Sequence, residues 1–167
     1  ATLRGKVYPE WDNIPMGHFP YTAGWPLYVG WDFGIAEDTA IIWVARNPAT
    51  GMFRIVDCYS NRGPSIDYYV PLITGQVVSG LPYEYSDKEL TQIDAHRIWP
   101  PAVHFGDPAG KQRSLTTGTS VIDVLRQQGI HVQTAPDLNR FEARHQRTKR
   151  FLTSVEGINL PACATLN

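Results

Sequence analysis

Apolar residues recur along this chain with two different periods, and the change of period divides it into elements. Three short runs, LYVGWDF (27–33), TAIIWVAR (39–46) and MFRIVDCY (52–59), are rich in β-branched and aromatic residues and read as strands. The third alternates Phe53 and Ile55 with a half-polar face. Between them IAED (35–38) and NPATG (47–51) carry turn chemistry. Strands joined so tightly predict an antiparallel meander. Beyond residue 64 the spacing becomes helical. Ile66, Tyr69, Val70 and Ile73 follow Ser65 as a candidate N-cap, and Pro71 predicts a kink or break. Residues 75–101 form an irregular excursion, in which Ser86 and Glu89 box the start of a short acidic helix. PAVHFGDPAG (101–110) holds a short apolar strand ending at Asp107. TSVIDVLRQQGI (119–130) predicts a helix opened by Ser120 and Asp123 and stopped by Gly129. IHVQTA (130–135) is a fifth strand, and NRFEARHQRTKRFLTSV (139–155) a last helix capped by Asn139 with Glu142 at the box position.

The order is therefore β-β-β-α-β-α-β-α. The fourth and fifth strands follow helical crossovers, and right-handed crossovers lay them parallel to the first strand on its free side. The expected α/β fold is a five-stranded mixed sheet, order 3-2-1-4-5, with strand 2 antiparallel and helices on both faces. Residues 1–26, rich in Pro, Gly and aromatics, read as a lead-in segment, and 27–167 as the domain.

Composition narrows the class. A chain of 167 residues with 43% hydrophobic and 19% charged residues fits one globular domain rather than disorder. No apolar run reaches the ~18–20 residues of a membrane span, and no apolar stretch opens the chain as a signal peptide would. The formal net charge of −1 places any basic surface locally. Cys58 and Cys163 lie far apart in sequence and form no CxxC pair. They read as buried or free thiols of a reducing compartment, not as a zinc site or a disulfide.

The first strand carries Asp32 between Trp31 and Phe33, where a buried side chain is expected. In the predicted sheet Asp32 and Asp107 stand at the carboxyl ends of parallel neighbours, at the switch point where α/β sheets hold their sites. An Asp at a strand end is most often a turn or cap residue, so only the pair, not either aspartate alone, points to a site. Strands ~4.8 Å apart bring two carboxylates close enough to repel. A hard divalent cation relieves that repulsion, since Mg²⁺ binds through one or two carboxylates and keeps several waters. Two such ions can clamp a phosphodiester. Asp38, six residues past Asp32, either reaches the same metal region or caps the turn before Thr39. Asp57 lies two strands away, and Glu37 reads as a solvated turn residue. WDFG lacks the Gly-rich loop, lysine and HRD segment of a kinase; no Walker A and no GxSxG elbow is present. His18, His96, His104, His131 and His145 are scattered, and a lone strand histidine reads as packing.

The last helix sets Arg140, Arg144, Arg147, Lys149 and Arg150 against one acid, Glu142. Arg140, Arg144 and Arg147 share a face with almost no acid four residues away, a candidate phosphate-binding row where a solvated face is the alternative. Lys111 and Arg113 follow Asp107 in a Gly-containing loop and can hold a backbone phosphate.

Taken together, GKVYPEWD, YVGWDFGIAEDTAIIWVA, FRIVDCY, HFGDPAGKQRS, GTSVIDVLRQQGI and NRFEARHQRTKRFL resemble the carboxyl-terminal nuclease domain of the large terminase subunit of tailed phages, from about residue 5 to residue 163. The resemblance implies a ribonuclease H-like fold and a metal-dependent endonuclease, using Mg²⁺ or Mn²⁺, that cuts concatemeric double-stranded DNA during packaging. It implies Asp32 as the strand-one ligand, Asp107 as the strand-four ligand, and Asp38 at an acidic position often seen after the first motif. It also implies a packaging ATPase domain upstream, a third ligand Asp on a helix downstream of GINLPACATLN, portal and small-terminase partners, and the cytoplasm of an infected bacterium as the location. A Holliday-junction resolvase-like nuclease of the same fold, and a fragment that binds DNA or portal without cutting, are the alternatives.

Overall fold

The computed structural model describes residues 8–34, 38–80, 82–134, 141–160 and 162–163, with backbone only for 109 and 141–144. Seven strands form one sheet: β1 (Met16–Gly17), β2 (Leu27–Asp32), β3 (Thr39–Arg46), β4 (Phe53–Asn61), β5 (Val103–Gly106), β6 (Val132–Gln133) and β7 (Val155–Asn159). Their order is β1-β7-β4-β3-β2-β5-β6. The stretch β4-β3-β2-β5-β6 is the expected order, with β3 antiparallel to both neighbours and β2, β5 and β6 mutually parallel. The strand count corrects the five-stranded expectation. β7 pairs parallel with β4, and β1, drawn from the lead-in segment, pairs parallel with β7. β7 follows the last helix with no intervening turn signal, and β1 is two residues long, too short for any periodicity.

Among the described residues four α-helices cover the sheet: α1 (Val70–Thr74), α2 (Asp87–His96), α3 (Val121–Gln127) and α4 (Phe141–Thr153). Pro71 divides the segment after β4. A 3-10 turn over Ile66–Tyr69 ends where α1 begins, because proline lacks the amide that an interior helical position must donate yet fits a first turn. Both expected capping boxes form, Ser86 with Glu89 and Ser120 with Asp123. Asn139, the expected cap of α4, lies outside the described residues.

Alternation along β2 distributes its side chains to two cores. Leu27, Val29 and Trp31 join Trp43, Leu72, Ile93 and Leu125 beneath α1, α2 and α3. On the opposite face Val44, Ile55, Leu152 of α4 and Ile158 of β7 pack together, with Ile14 from the lead-in segment. No helix among the described residues is long and apolar enough to cross a membrane.

Three contacts tie the layers. Cys58 of β4 and Cys163, just after β7, are joined in a disulfide with Cα atoms 5.1 Å apart. Both are buried in the second core. This overturns the reading of two separate thiols: parallel pairing of β7 with β4 abolishes a separation of 105 residues. His96 of α2 is buried, with Nδ1 facing the Leu72 carbonyl and Nε2 facing Asp57 Oδ2, each at 2.6 Å. A carbonyl only accepts, so Nδ1 carries a proton there. Trp31 Nε1 donates to His104 Nδ1 at 3.1 Å, joining β2 to β5 from inside the first core. Burial pushes the His104 imidazole down to about 4.

Two measurements check these ties. Because the bridge closes a loop of about 100 residues, Cys163→Ser should lower the unfolding free energy by about 2–5 kcal/mol without reductant, and the variant's urea midpoint should no longer respond to reductant. For His104, the unfolded chain takes up a proton near pH 6.5 and the folded chain near 4. Stability should therefore fall as pH drops from about 6.5 to 4, by up to about 3 kcal/mol, and show no dependence on this group above that window. His104→Gln, which keeps an acceptor for Trp31, should flatten this part of the stability–pH curve.

Candidate metal centre

The edge that bears the candidate site is built by β2 and β5. Their register pairs Tyr28 with Val103, Val29 with His104, Gly30 with Phe105 and Trp31 with Gly106. One residue further along each strand stand Asp32 and Asp107. They hold equivalent positions on adjacent parallel strands, and alternation puts both on the face of Gly30 and Phe105, away from the first core. Both carboxylates are exposed.

The backbone beneath them is fixed by packing. Phe33 is buried and stacks on Trp31 with ring centres 5.5 Å apart. A side chain at Gly106 or Gly110 would run into the Phe33 ring, at 2.7 and 2.6 Å from a Cβ, so only glycine allows this approach. After Asp107 the chain turns at once: Gly110 N–H donates to the Asp107 carbonyl at 2.9 Å, within a 3-10 turn over Pro108–Lys111. On the same face Tyr28, Gly30, Phe53, Phe105 and Phe151 line an open aromatic trough.

The remaining predicted residues are placed as follows. Asp38 precedes β3 and pairs with Arg62, just past β4, at 3.1 Å; both are exposed. Ala40 is the register partner of Asp32, so this ion pair lies on the same edge. Lys111 and Arg113 are exposed. Arg113 is drawn back toward α3 by a bridge with Ser120, in a loop closed by Gly118 N–H on the Ser114 carbonyl at 2.8 Å. Ser120 donors, helped by the charges of Arg126 and Arg113, hold the Asp123 carboxyl below the usual range. In α4 Arg147 and Arg150 are exposed, whereas Lys149 pairs with Glu10 at 3.6 Å. Arg144 is described by its backbone only, and Arg140 lies outside the described residues. The count of unpaired bases in the last helix thus missed a partner from the lead-in segment. Arg62 was missed as well; its only sequence signal is a base directly after the third strand.

Whether a metal fits can be read from the donor set. Two carboxylates at matching register, open to water, suit one Mg²⁺ or Mn²⁺ ion that keeps part of its water shell. Among the described residues no group of three or more His, Cys, Asp or Glu side chains converges as a metal site.

The fold is ribonuclease H-like, and it is one known from phage packaging enzymes. Over 95% of its length the chain matches 34% of the large terminase of a thermophilic bacteriophage, with a TM-score of 0.58 and 17% identity. Over 89% of its length it matches 71% of the large-terminase nuclease domain of bacteriophage SPP1, solved with bound Mn, with a TM-score of 0.52 and 13% identity. The chain thus spans about a third of the thermophilic phage's terminase. No protein-family model and no curated protein sequence matches it.

If Asp32 and Asp107 share a cation, Mn²⁺ should raise the melting temperature of the wild-type chain and leave Asp32→Asn and Asp107→Asn unmoved. In EDTA either asparagine variant should melt at or slightly above the wild type, by up to about 1 kcal/mol, because facing like charges destabilise a strand pair.

Proposed function

We propose that this chain is the nuclease domain of a phage DNA-packaging terminase, a metal-dependent endonuclease that cleaves concatemeric double-stranded DNA by phosphodiester hydrolysis. The observation that carries the reading is the β2–β5 register, in which Trp31 pairs with Gly106 immediately before Asp32 and Asp107, in a sheet similar to that of a terminase nuclease domain. The Mn bound by the SPP1 nuclease domain supports a divalent cofactor.

In this reading Asp32 and Asp107 hold Mg²⁺ or Mn²⁺, which when bound lowers the pKa of water and offsets charge on the scissile phosphate. A two-ion version needs a ligand in addition to these two, with Asp38 the nearest candidate if it releases Arg62. Phosphates flanking the scissile bond are held by Lys111 and Arg113 from the loop after β5, with Arg62 at the same edge. Arg140, Arg144 and Arg147 extend the cationic surface along α4. Such contacts are charge-based and sequence-independent, so affinity falls steeply with salt. In the whole protein the partners are the packaging ATPase domain, the portal and the small terminase subunit, in the cytoplasm of the infected host. The lack of a third converging ligand among the described residues favours, as a second reading, a piece that binds DNA or portal without cutting.

Supercoiled plasmid incubated with Mn²⁺ separates these readings. The wild type should nick and linearise it, with Asp32→Ala and Asp107→Ala reduced by about 100-fold or more, the scale of loss when a group stabilising transition-state charge is removed. Equal nicking by all three proteins would sink the proposed centre. Retained salt-sensitive DNA binding without nicking by any would support the binding-only reading, and strong preference for four-way junctions over linear duplex would support a resolvase-like enzyme.

A further inference from the structure

At the opposite end of β2 and β5 from the aspartates lies a cavity of about 430 Å³ that the nuclease reading does not use. Its walls include Leu27, Val29, Trp43, Trp99, Ala102 and Ile130, and no Asp, Glu, Lys or Arg lines it. Trp43 and Trp99 are held in place by His96, whose ring lies 4.7 and 4.1 Å from theirs and is itself tied through both nitrogens. Thr74 also lines the cavity, but its hydroxyl is already spent on the Val70 carbonyl and the Gln76 amide.

Of the other polar side chains on its walls, Gln128 and His131 are exposed, and one buried polar side chain remains. His104 lines the cavity and is 6% exposed. Its Nδ1 accepts from Trp31, which does not line the cavity. The neutral ring must then carry its proton on Nε2. That N–H has no partner among the described residues, and it is not sealed off from solvent either. A donor on a largely buried ring that lines a cavity can be met by an acceptor that a ligand delivers. Indole walls, the lack of any Asp, Glu, Lys or Arg and one buried donor, with Gln128 and His131 exposed on the walls, are features of a small-molecule pocket.

We propose that this cavity binds a neutral, planar nitrogen heterocycle of one or two fused rings, whose ring nitrogen accepts from His104 Nε2–H while its faces pack against Trp43 and Trp99. The lack of charged lining residues argues against phosphates, carboxylates and cations. Neither Asp32 nor Asp107 lines the cavity, and binding is read without cleavage, so failure here is distinguishable from failure of the nuclease reading.

The test compares two probes of the same size and flatness. Benzimidazole offers a ring-nitrogen acceptor, whereas the only nitrogen of indole is a donor. Titrating each into the ¹⁵N-labelled chain, benzimidazole should shift the amides of Ala102, Gly129 and Ile130 and bind about fivefold or more tightly than indole. Ala102→Leu, which fills the cavity, should abolish both sets of shifts, while His104→Gln, which retains a donor, should keep part of the preference. Equal affinity for the two probes, no shifts at millimolar benzimidazole, or unchanged binding by a folded Ala102→Leu variant would each overturn the proposal.

Discussion

Everything at the functional edge of this protein depends on the parallel pairing of β2 with β5. Parallel neighbours with matched register end together, so whatever residue follows each strand is set beside its counterpart. Here the residues just past the last paired positions, Trp31 and Gly106, are both aspartates. The pairing is reinforced from below by the Trp31–His104 hydrogen bond and by Phe33, which fills the space left by Gly106 and Gly110. The strand ends are rigid for reasons of packing, while their carboxylates stay exposed.

The helical layer above β2–β4 is organised by a few carboxylates as well as by apolar packing. Glu89 closes the capping box of α2 through Ser86 N–H and also accepts from the phenols of Tyr59 and Tyr68, each at 2.6 Å. Burial alone pushes this carboxyl up, but the donors outweigh it and hold it below the usual range. The two phenols respond in the opposite sense: burial and the carboxylate both raise them. Asp57 plays the matching part deeper in the sheet, where it meets His96 beside a β-bulge at Trp43/Val44. One carboxylate thus joins α2 to β4 and to the turn before α1, and another joins β4 to α2 and, through His96, to α1.

Much of this architecture was legible in the chain because its causes are local. Strand runs such as TAIIWVAR end at residues 39 and 46 in both reading and structure, since the sequence on each side carries turn-forming residues. Capping boxes were legible because they are contacts between residues three apart. β1 and β7 were not, because they are short and their pairing is with each other and with β4. The same long-range pairing explains Cys58 and Cys163. The partner of Lys149 was hidden for the same reason: Glu10 is close in space and remote in sequence.

What the sequence by itself determined is the run of elements from β2 to the last helix and the β4-β3-β2-β5-β6 part of the sheet order. Periodicity, turn residues and crossover handedness are enough for that, since each acts over a few residues or over topology as a whole. Only the tertiary structure decided who meets whom across the chain. It tied Asp38 to Arg62, buried Asp57 on His96, bridged two distant cysteines and left one imidazole proton of His104 facing a cavity. Those are matters of distance between remote residues, and no local pattern encodes them.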